Sequence, residues 1–259
     1  MELKYNDIPF REIAGEYDAR AVGFVEHFPD FIYAERDLSV VHVPGRNGDI
    51  IYDDGSFRNV LVSYDIACKY QYGLDDWIQS GLGQWLYPYE KAQYLKLEDS
   101  TLPYQYRLAI PNGQPIFKNI YGKNARGTVT FNCRPEKFFY GGDDPIVFTT
   151  TSGTIDTSDF KIRFPAKPLI TVTIAGSGAF AIYKTGGNLY RVAIDDVTGT
   201  VILDCDSQEA TMADGTNINS HITLTGFGSY PVIEPGSNPL FAMTGDISKV
   251  EIVPRYYDI

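Results

Sequence analysis

Apolar and polar residues alternate at every second position in "RGTVTFNC" (126–133), "LITVTIAG" (169–176), "NLYRVAID" (188–195), "GTVILDCD" (199–206) and "SKVEIVP" (248–254). Alternation of this kind sends successive side chains to opposite faces of a pleated strand, and the Val, Ile, Thr and Tyr that fill these runs suit that geometry. Between the runs, "TGGN" (185–188), "DDVTG" (195–199) and "DDG" (53–55) supply residues that tolerate positive φ. They predict tight turns and a second half dominated by hairpins. One stretch has a different period. In "YGLDDWIQSGLGQWLYP" (72–88), Leu74, Trp77, Ile78, Leu82, Trp85 and Leu86 recur at three- and four-residue spacings, which predicts a short helix with its Trp and Leu side against a sheet. An Asp stands near its start as a cap and Pro88 follows its end, while Gly81 and Gly83 each weaken it by about 1 kcal/mol relative to Ala.

The segment "FYGGDDP" (139–145) follows a strand and precedes the Thr/Ser-rich "TTTSGTIDTSDF" (149–160), so the expected division is a domain over 1–140 and a second over 141–259. A length of 259 residues allows two ordinary domains. With 44% hydrophobic and 21% charged residues the chain is expected to be globular. A net charge of −11 and the lack of any basic tract argue against a dedicated nucleic-acid binder. No apolar run approaches the ~20 residues of a membrane span, and "MELKYNDIPFREIAG" (1–15) has no apolar core of a signal peptide, so membrane insertion and secretion are not expected. Cys68, Cys133 and Cys205 lie far apart and read as buried free thiols.

Chemistry is sparse. His27, His42 and His221 are scattered, with no ligand partners at metal-binding spacing. "DCDSQEATMADG" (204–215) lacks the Gly and Glu that an acidic calcium loop needs, and reads as a strand end followed by a turn. "GSG" (176–178) and "GRNG" (45–48) are too short to cradle a phosphate, and Asp195 and Asp196 suit a turn better than an acid–base pair. No catalytic residue, metal ligand or cofactor site is expected. The excess is aromatic: 14% of residues, with 19 Tyr, which suits cores and subunit interfaces or, alternatively, platforms that stack on sugars. The chain closes on "PRYYDI" (254–259), an apolar ending that is expected to pack on a domain face.

The order of motifs resembles that of the distal tail (Dit) proteins of long, non-contractile-tailed phages and prophages of Gram-positive bacteria. In the first half the resemblance rests on "VHVPGRNGDI" (41–50), on "WLYPYEKAQYLKLEDSTLPYQYRLAI" (85–110) and on "ARGTVTFNCRPEKFFY" (125–140). In the second half it rests on "PLITVTIAGSGAFAIY" (168–183), "VILDCDSQEA" (201–210), "YPVIEPGSNPL" (230–240) and the closing "VEIVPRYYDI". The chain departs from the family at "DCDSQ", where relatives often carry Asp-Ser-Glu, and in the last aromatic pair, where Tyr replaces Trp.

What the resemblance implies is a mainly β protein: an N-terminal β-sandwich-like domain with one short helix that forms a ring, and a C-terminal galectin-like β-sandwich. It implies a non-enzymatic homohexameric ring at the distal end of the phage tail, made in the bacterial host cytoplasm. The ring's partners would be the tail tube protein, the tail-associated lysin or tail fibre protein and receptor-binding proteins. No large insertion interrupts the second half, so no extra carbohydrate-binding module is expected. Trp77 and Trp85 of the helix and Tyr256, Tyr257 and Ile259 of the ending are the candidate packing or assembly residues. The alternative is a carbohydrate-binding module that holds host cell-wall glycans through C-terminal tyrosines. A cell-wall hydrolase is disfavoured by the lack of a catalytic constellation.

Overall fold

The computed structural model describes residues 2–13, 21–27, 29–71, 75–120, 123–157, 163–183, 187, 189–235 and 239–259. The N-terminal part contains β1 (Leu3–Tyr5), β2 (Ile8–Pro9), β3 (Ala21–Val25), β4 (Arg36–Val41), β5 (Ile50–Phe57), β6 (Val60–Tyr70), α1 (Asp75–Leu86), β7 (Leu95–Asp99), β8 (Gln105–Asn112), β9 (Phe117–Ile120) and β10 (Asn124–Phe139). β11 (Ile146–Phe148), β12 (Ser152–Thr154), β13 (Leu169–Tyr183), β14 (Leu189–Asp204), β15 (Glu209–Met212), β16 (Ile222–Gly226), β17 (Leu240–Val253) and β18 (Tyr257–Asp258) follow. The protein is mainly β, with one α-helix among the described residues, as the hydrophobic pattern predicts. It divides into two compact units, Met1–Lys137 with Ile259, and Phe138–Asp258.

In the first unit the strands run in the order β2-β1-β7-β8-β10-β6-β3, with β9 also paired to β10. Alternate residues of β6 (Val60, Val62, Tyr64, Ile66 and Cys68) share a core with Val129, Phe131 and Cys133 of β10 and with Leu3 and Tyr5 of β1. Ile78, Leu82, Trp85 and Leu86 of α1 close that core. Their 3.6-residue spacing makes one stripe, and Trp77 lies about 100° away from Ile78 around the helix. Trp77 is therefore 61% exposed, which corrects the expectation that every Trp of the helix faces the sheet. Leu74 lies outside the described residues.

The second unit is a β-sandwich made from three bent strands. The first half of β13 pairs with the second halves of β14 and β17, while its second half pairs with their first halves. One layer is thus β11-β17-β13-β14-β15 and the other β12-β17-β13-β14-β16. Ile170, Val172 and Ile174 from one layer and Phe180, Ile182, Phe241 and Met243 from the other meet in a single core. The bend falls at Gly176 (φ 149°), Asp196 (φ 54°) and Gly245 (φ 77°). Glycine is required at the last, because a Cβ on Gly245 would stand 2.5 Å from the Ser177 carbonyl oxygen. "DDVTG" is accordingly not a hairpin turn: β14 runs through it, and its positive φ bends a strand instead of reversing one. "TGGN" falls largely outside the described residues.

Candidate assembly surface

Among the described residues the strands β4 and β5 pair only with each other, in a separate two-stranded sheet. Their sequence explains the pairing: β-branched Val40 and Val41 oppose Ile51 and Ile50, and the connecting "VPGRNGD" reverses the chain through Gly45 (φ 83°) and Gly48 (φ 79°). At the tip the Arg46 N–H donates to the Val43 carbonyl oxygen (3.2 Å), and His42 Nδ1 lies 2.9 Å from Asp49 Oδ1. At the root Arg58 donates through Nε and Nη2 to Asp37 Oδ1 (3.0 and 2.8 Å), and its backbone N–H donates to the Glu35 carbonyl oxygen (2.8 Å). Arg36 donates to Asp53 (2.8 Å) and lies over the Phe57 ring, 4.8 Å from its centroid. The Asp37 carboxylate raises the Arg58 pKa, and the Ser56 hydroxyl and N–H hold the Asp54 carboxyl below its ordinary value. An isolated hairpin is marginal in water. These contacts hold its two ends.

Residues opposed across an antiparallel pair share a face. One face of the ribbon carries Leu38, Val40 and Ile51, and the other Val41, Ile50 and Tyr52. Both are open: Val40, Ile51 and Tyr52 are 58%, 64% and 66% exposed. Leaving side chains of this size in water forgoes about 1.5–3 kcal/mol each relative to full burial. Apolar side chains thus lie on both faces of the ribbon next to the tip, with Ser39 opposite Tyr52 and Asp53 opposite Leu38 as polar positions nearer the root, and exposed apolar surface of this kind is typical of interaction sites. Nothing in the spacing of "VV" and "II" announced this. The doubled β-branched pairs, which put an apolar residue on each face, were the available signal.

The candidates from the helix and the chain end separate into different environments. Trp85 is buried, donates its Nε1–H to the Ile8 carbonyl oxygen (3.0 Å) and packs against Phe10, Tyr5 and Phe131 at ring distances of 4.9, 5.9 and 6.0 Å. Trp77 points to solvent. Tyr256 joins the core of the second unit at 1% exposure. The turn before it places Arg255 at φ 56°, where its N–H donates to the Gly142 carbonyl oxygen (2.8 Å) and its guanidinium pairs with Asp204 (2.8 and 3.4 Å). The Phe139 N–H donates to the Tyr256 carbonyl oxygen (2.9 Å), and Gly142 is needed because a Cβ there would come within 2.6 Å of the Tyr256 nitrogen. Tyr257 is half-buried, tilted against Phe138 (6.0 Å) and stacked on Phe164 (5.9 Å). Ile259 is half-buried and groups with the first unit.

Among the described residues no three His, Cys, Asp or Glu side chains come together as a metal site. Burial pushes the Cys68 and Cys133 thiols up to about 12 and raises Cys205 as well, so at neutral pH all three are protonated and poor nucleophiles. Among the described residues no helix is long and apolar enough to cross a membrane.

The fold is similar to that of a phage Dit protein and of chains from a phage baseplate, in line with the distal tail resemblance read from the sequence motifs. The SPP1 Dit protein, described as a paradigm of the hub adsorption apparatus in phages infecting Gram-positive bacteria, superposes with a TM-score of 0.63. The match covers 97% of each chain at 12% identity. A chain from the phage P2 baseplate in its activated conformation with Ca matches at a TM-score of 0.53 and 9% identity, over 91% of this chain and 90% of that one. A chain from the same baseplate with Sr gives 0.51 and 9% over 97% and 96%. No family model matches the sequence, and no curated protein matches it.

Proposed function

We propose that this protein is a structural hub of a phage tail tip, in which copies join through the β4–β5 ribbon into a closed homohexameric ring between the tail tube protein and the tail-associated lysin, tail fibre or receptor-binding components. The observation that carries the reading is the ribbon: two apolar faces left uncovered by their own chain, on a fold shared with an adsorption-hub protein. A ring needs a heterologous contact, in which one patch of a subunit meets a different patch of the next and the rotation closes. A projecting ribbon supplies one half of such a contact. The protein acts by assembly, with no reaction of its own, at the distal end of the virion tail after synthesis in the host cytoplasm.

Native mass spectrometry of the purified full chain, with negative-stain imaging of the same sample, tests this. A species of six chains and a ring with a central hole is the expected result. A monomer that persists at tens of micromolar would overturn it.

A further inference from the structure

We propose that the outer edge of β16, in the second unit, takes up an extended segment of a different polypeptide as an added strand, and that this segment carries a single acidic side chain set to meet Arg191. Among the described residues β16 pairs only with β14, so one of its two rows of backbone N–H and C=O groups has no strand beside it. Edge strands are normally guarded against pairing by charge, by proline or by brevity. The other edges of this unit are guarded in these ways: β15 opens on Glu209, β11 follows Asp144 and Pro145, and β12 has three residues. β16 is not. From Ile222 to Tyr230 the sequence "ITLTGFGSY" holds no charge and no proline, and Thr223 and Thr225 are exposed. Just past its end Phe227 packs against the Tyr190 ring at 5.6 Å yet is 62% exposed, and Leu189, whose carbonyl oxygen accepts from the Phe227 N–H (2.9 Å), is 43% exposed. An edge of this kind adds a strand through main-chain hydrogen bonds and buries apolar side chains at one end, without desolvating an ion.

The sheet face beside the edge identifies the occupant. Directly opposed residues share a face, and Ser152, Ala242, Ala181, Arg191 and Thr225 stand in one row across β12, β17, β13, β14 and β16. The rows on either side, through Tyr183 and through Ala179, hold no charged residue among those described. The outer face of the other layer is different, with Lys249 paired to Glu251 (2.7 Å) and Asp204 to Arg255 (2.8 Å). Arg191 is exposed and, among the described residues, has no hydrogen-bond or ion-pair partner. Strands lie about 4.8 Å apart, so a strand added to β16 stands about 10 Å from the Arg191 backbone with only Thr225 between, a gap that an extended Arg and Glu span together. A Lys or Arg at that position meets a like charge instead. Two copies of β16 paired edge to edge would bring two Arg191 side chains to one surface with no acid between them, because β16 has none to offer. The occupant is therefore a different chain.

The edge belongs to the second unit, and its use does not depend on whether copies of the chain form a ring. The test is selection of short linear peptides from a random messenger-RNA-displayed library on the immobilised full chain, followed by amide hydrogen exchange of the protein with the recovered peptides. Peptides rich in Val, Ile and Thr with one Asp or Glu are the expected result, and they are expected to slow exchange at Ile222–Gly226. A fully N-methylated copy of the best peptide, which cannot donate main-chain hydrogen bonds, is expected not to bind. Arg191→Ala is expected to melt as the parent does and to bind the best peptide about fivefold more weakly, the upper value for an exposed ion pair. Arg191→Glu is expected to prefer the same peptide with its acid changed to Lys. Recovery of no peptide above an unrelated control protein, a consensus without an acid, unimpaired binding of the N-methylated copy, or protection confined to other strands overturns the proposal. Protection at Ile222–Gly226 that grows with protein concentration alone overturns it in favour of a second copy, and protection by cell-wall oligosaccharides but not by peptides overturns it in favour of a glycan.

Discussion

Replacing Tyr256 by Ala removes a ring that is 1% exposed in the core of the second unit, directly after a sharp turn held by Arg255, Asp204 and Gly142. Large-to-small changes of a fully buried aromatic cost about 3–5 kcal/mol, because the transfer free energy of the ring is lost and the cavity refills only in part. The turn favours the upper part of that range: the Arg255 N–H bond and the Asp204 ion pair fix the backbone on one side, and the Phe139 N–H bond fixes it on the other, so the chain cannot settle into the space. Set against a typical margin of about 5–15 kcal/mol, this is a large fraction of the unit's stability. At about 4 °C per kcal/mol for a unit of this size, the transition of the second unit is expected to fall by about 12–20 °C. The assay is differential scanning calorimetry of the full chain, with Tyr256→Phe as the control that keeps the ring and Tyr257→Ala as the control for a half-buried neighbour. Tyr256→Phe is expected to cost about 1 kcal/mol or less, and Tyr257→Ala less than half the effect of Tyr256→Ala. A Tyr256→Ala protein that melts within about 3 °C of the parent would refute the reasoning, since that shift corresponds to less than about 1 kcal/mol.

Stability should hold to about pH 9 and then decline towards pH 12. Burial pushes the Tyr256 hydroxyl from 10.0 to about 12, with Asp156 adding to the shift, and burial pushes the Cys68 and Cys133 thiols from 9.0 to about 12. The unfolded chain therefore loses these protons first, and the stability that the neutral forms contribute is lost as the pH rises through that window. Urea midpoints between pH 8 and 12 measure it, and a flat profile would contradict it. Gly245→Ala should destabilise by more than about 2 kcal/mol, from a left-handed backbone worth about 1–2 kcal/mol together with a clash against the Ser177 carbonyl. Gly83→Ala, in a helix and with open space at its Cβ, should instead stabilise by about 0.5–1 kcal/mol; equal denaturation midpoints for the two variants would sink this contrast. Addition of EDTA should leave the melting temperature unchanged, and a large fall would reveal a metal.

The sequence was most readable where one local rule decided the outcome. Alternation located β10, β13, β14 and β17, and the spacing of Ile78, Leu82, Trp85 and Leu86 located α1 and most of its buried stripe. The reading failed where a residue accepts two backbone roles. Asp195 to Gly199 reads as a turn by composition, yet the chain continues through it because β13 and β17 bend alongside, and no single strand records what its neighbours do. "GSG" at 176–178, dismissed as a phosphate loop, is the matching bend in β13. "DDG" at 53–55 lies within β5, near a shift in register with β4. The ribbon was the least readable element of all. Its Val and Ile pairs look like any buried strand, because a sequence does not say which apolar residues its own chain will cover.

The bent strands of the second unit have a mechanical consequence. In an ordinary sandwich the two layers are separate sheets joined by loops, and a pull on one reaches the other through side-chain packing, which slides at low cost. Here β13, β14 and β17 each belong to both layers. A load on either layer therefore runs along covalent backbone, and the layers cannot part unless the bends of all three strands, at Gly176, Asp196 and Gly245, open together. Such a unit resists shear as one body and passes force on without stretching, up to the point at which it gives way in a single step.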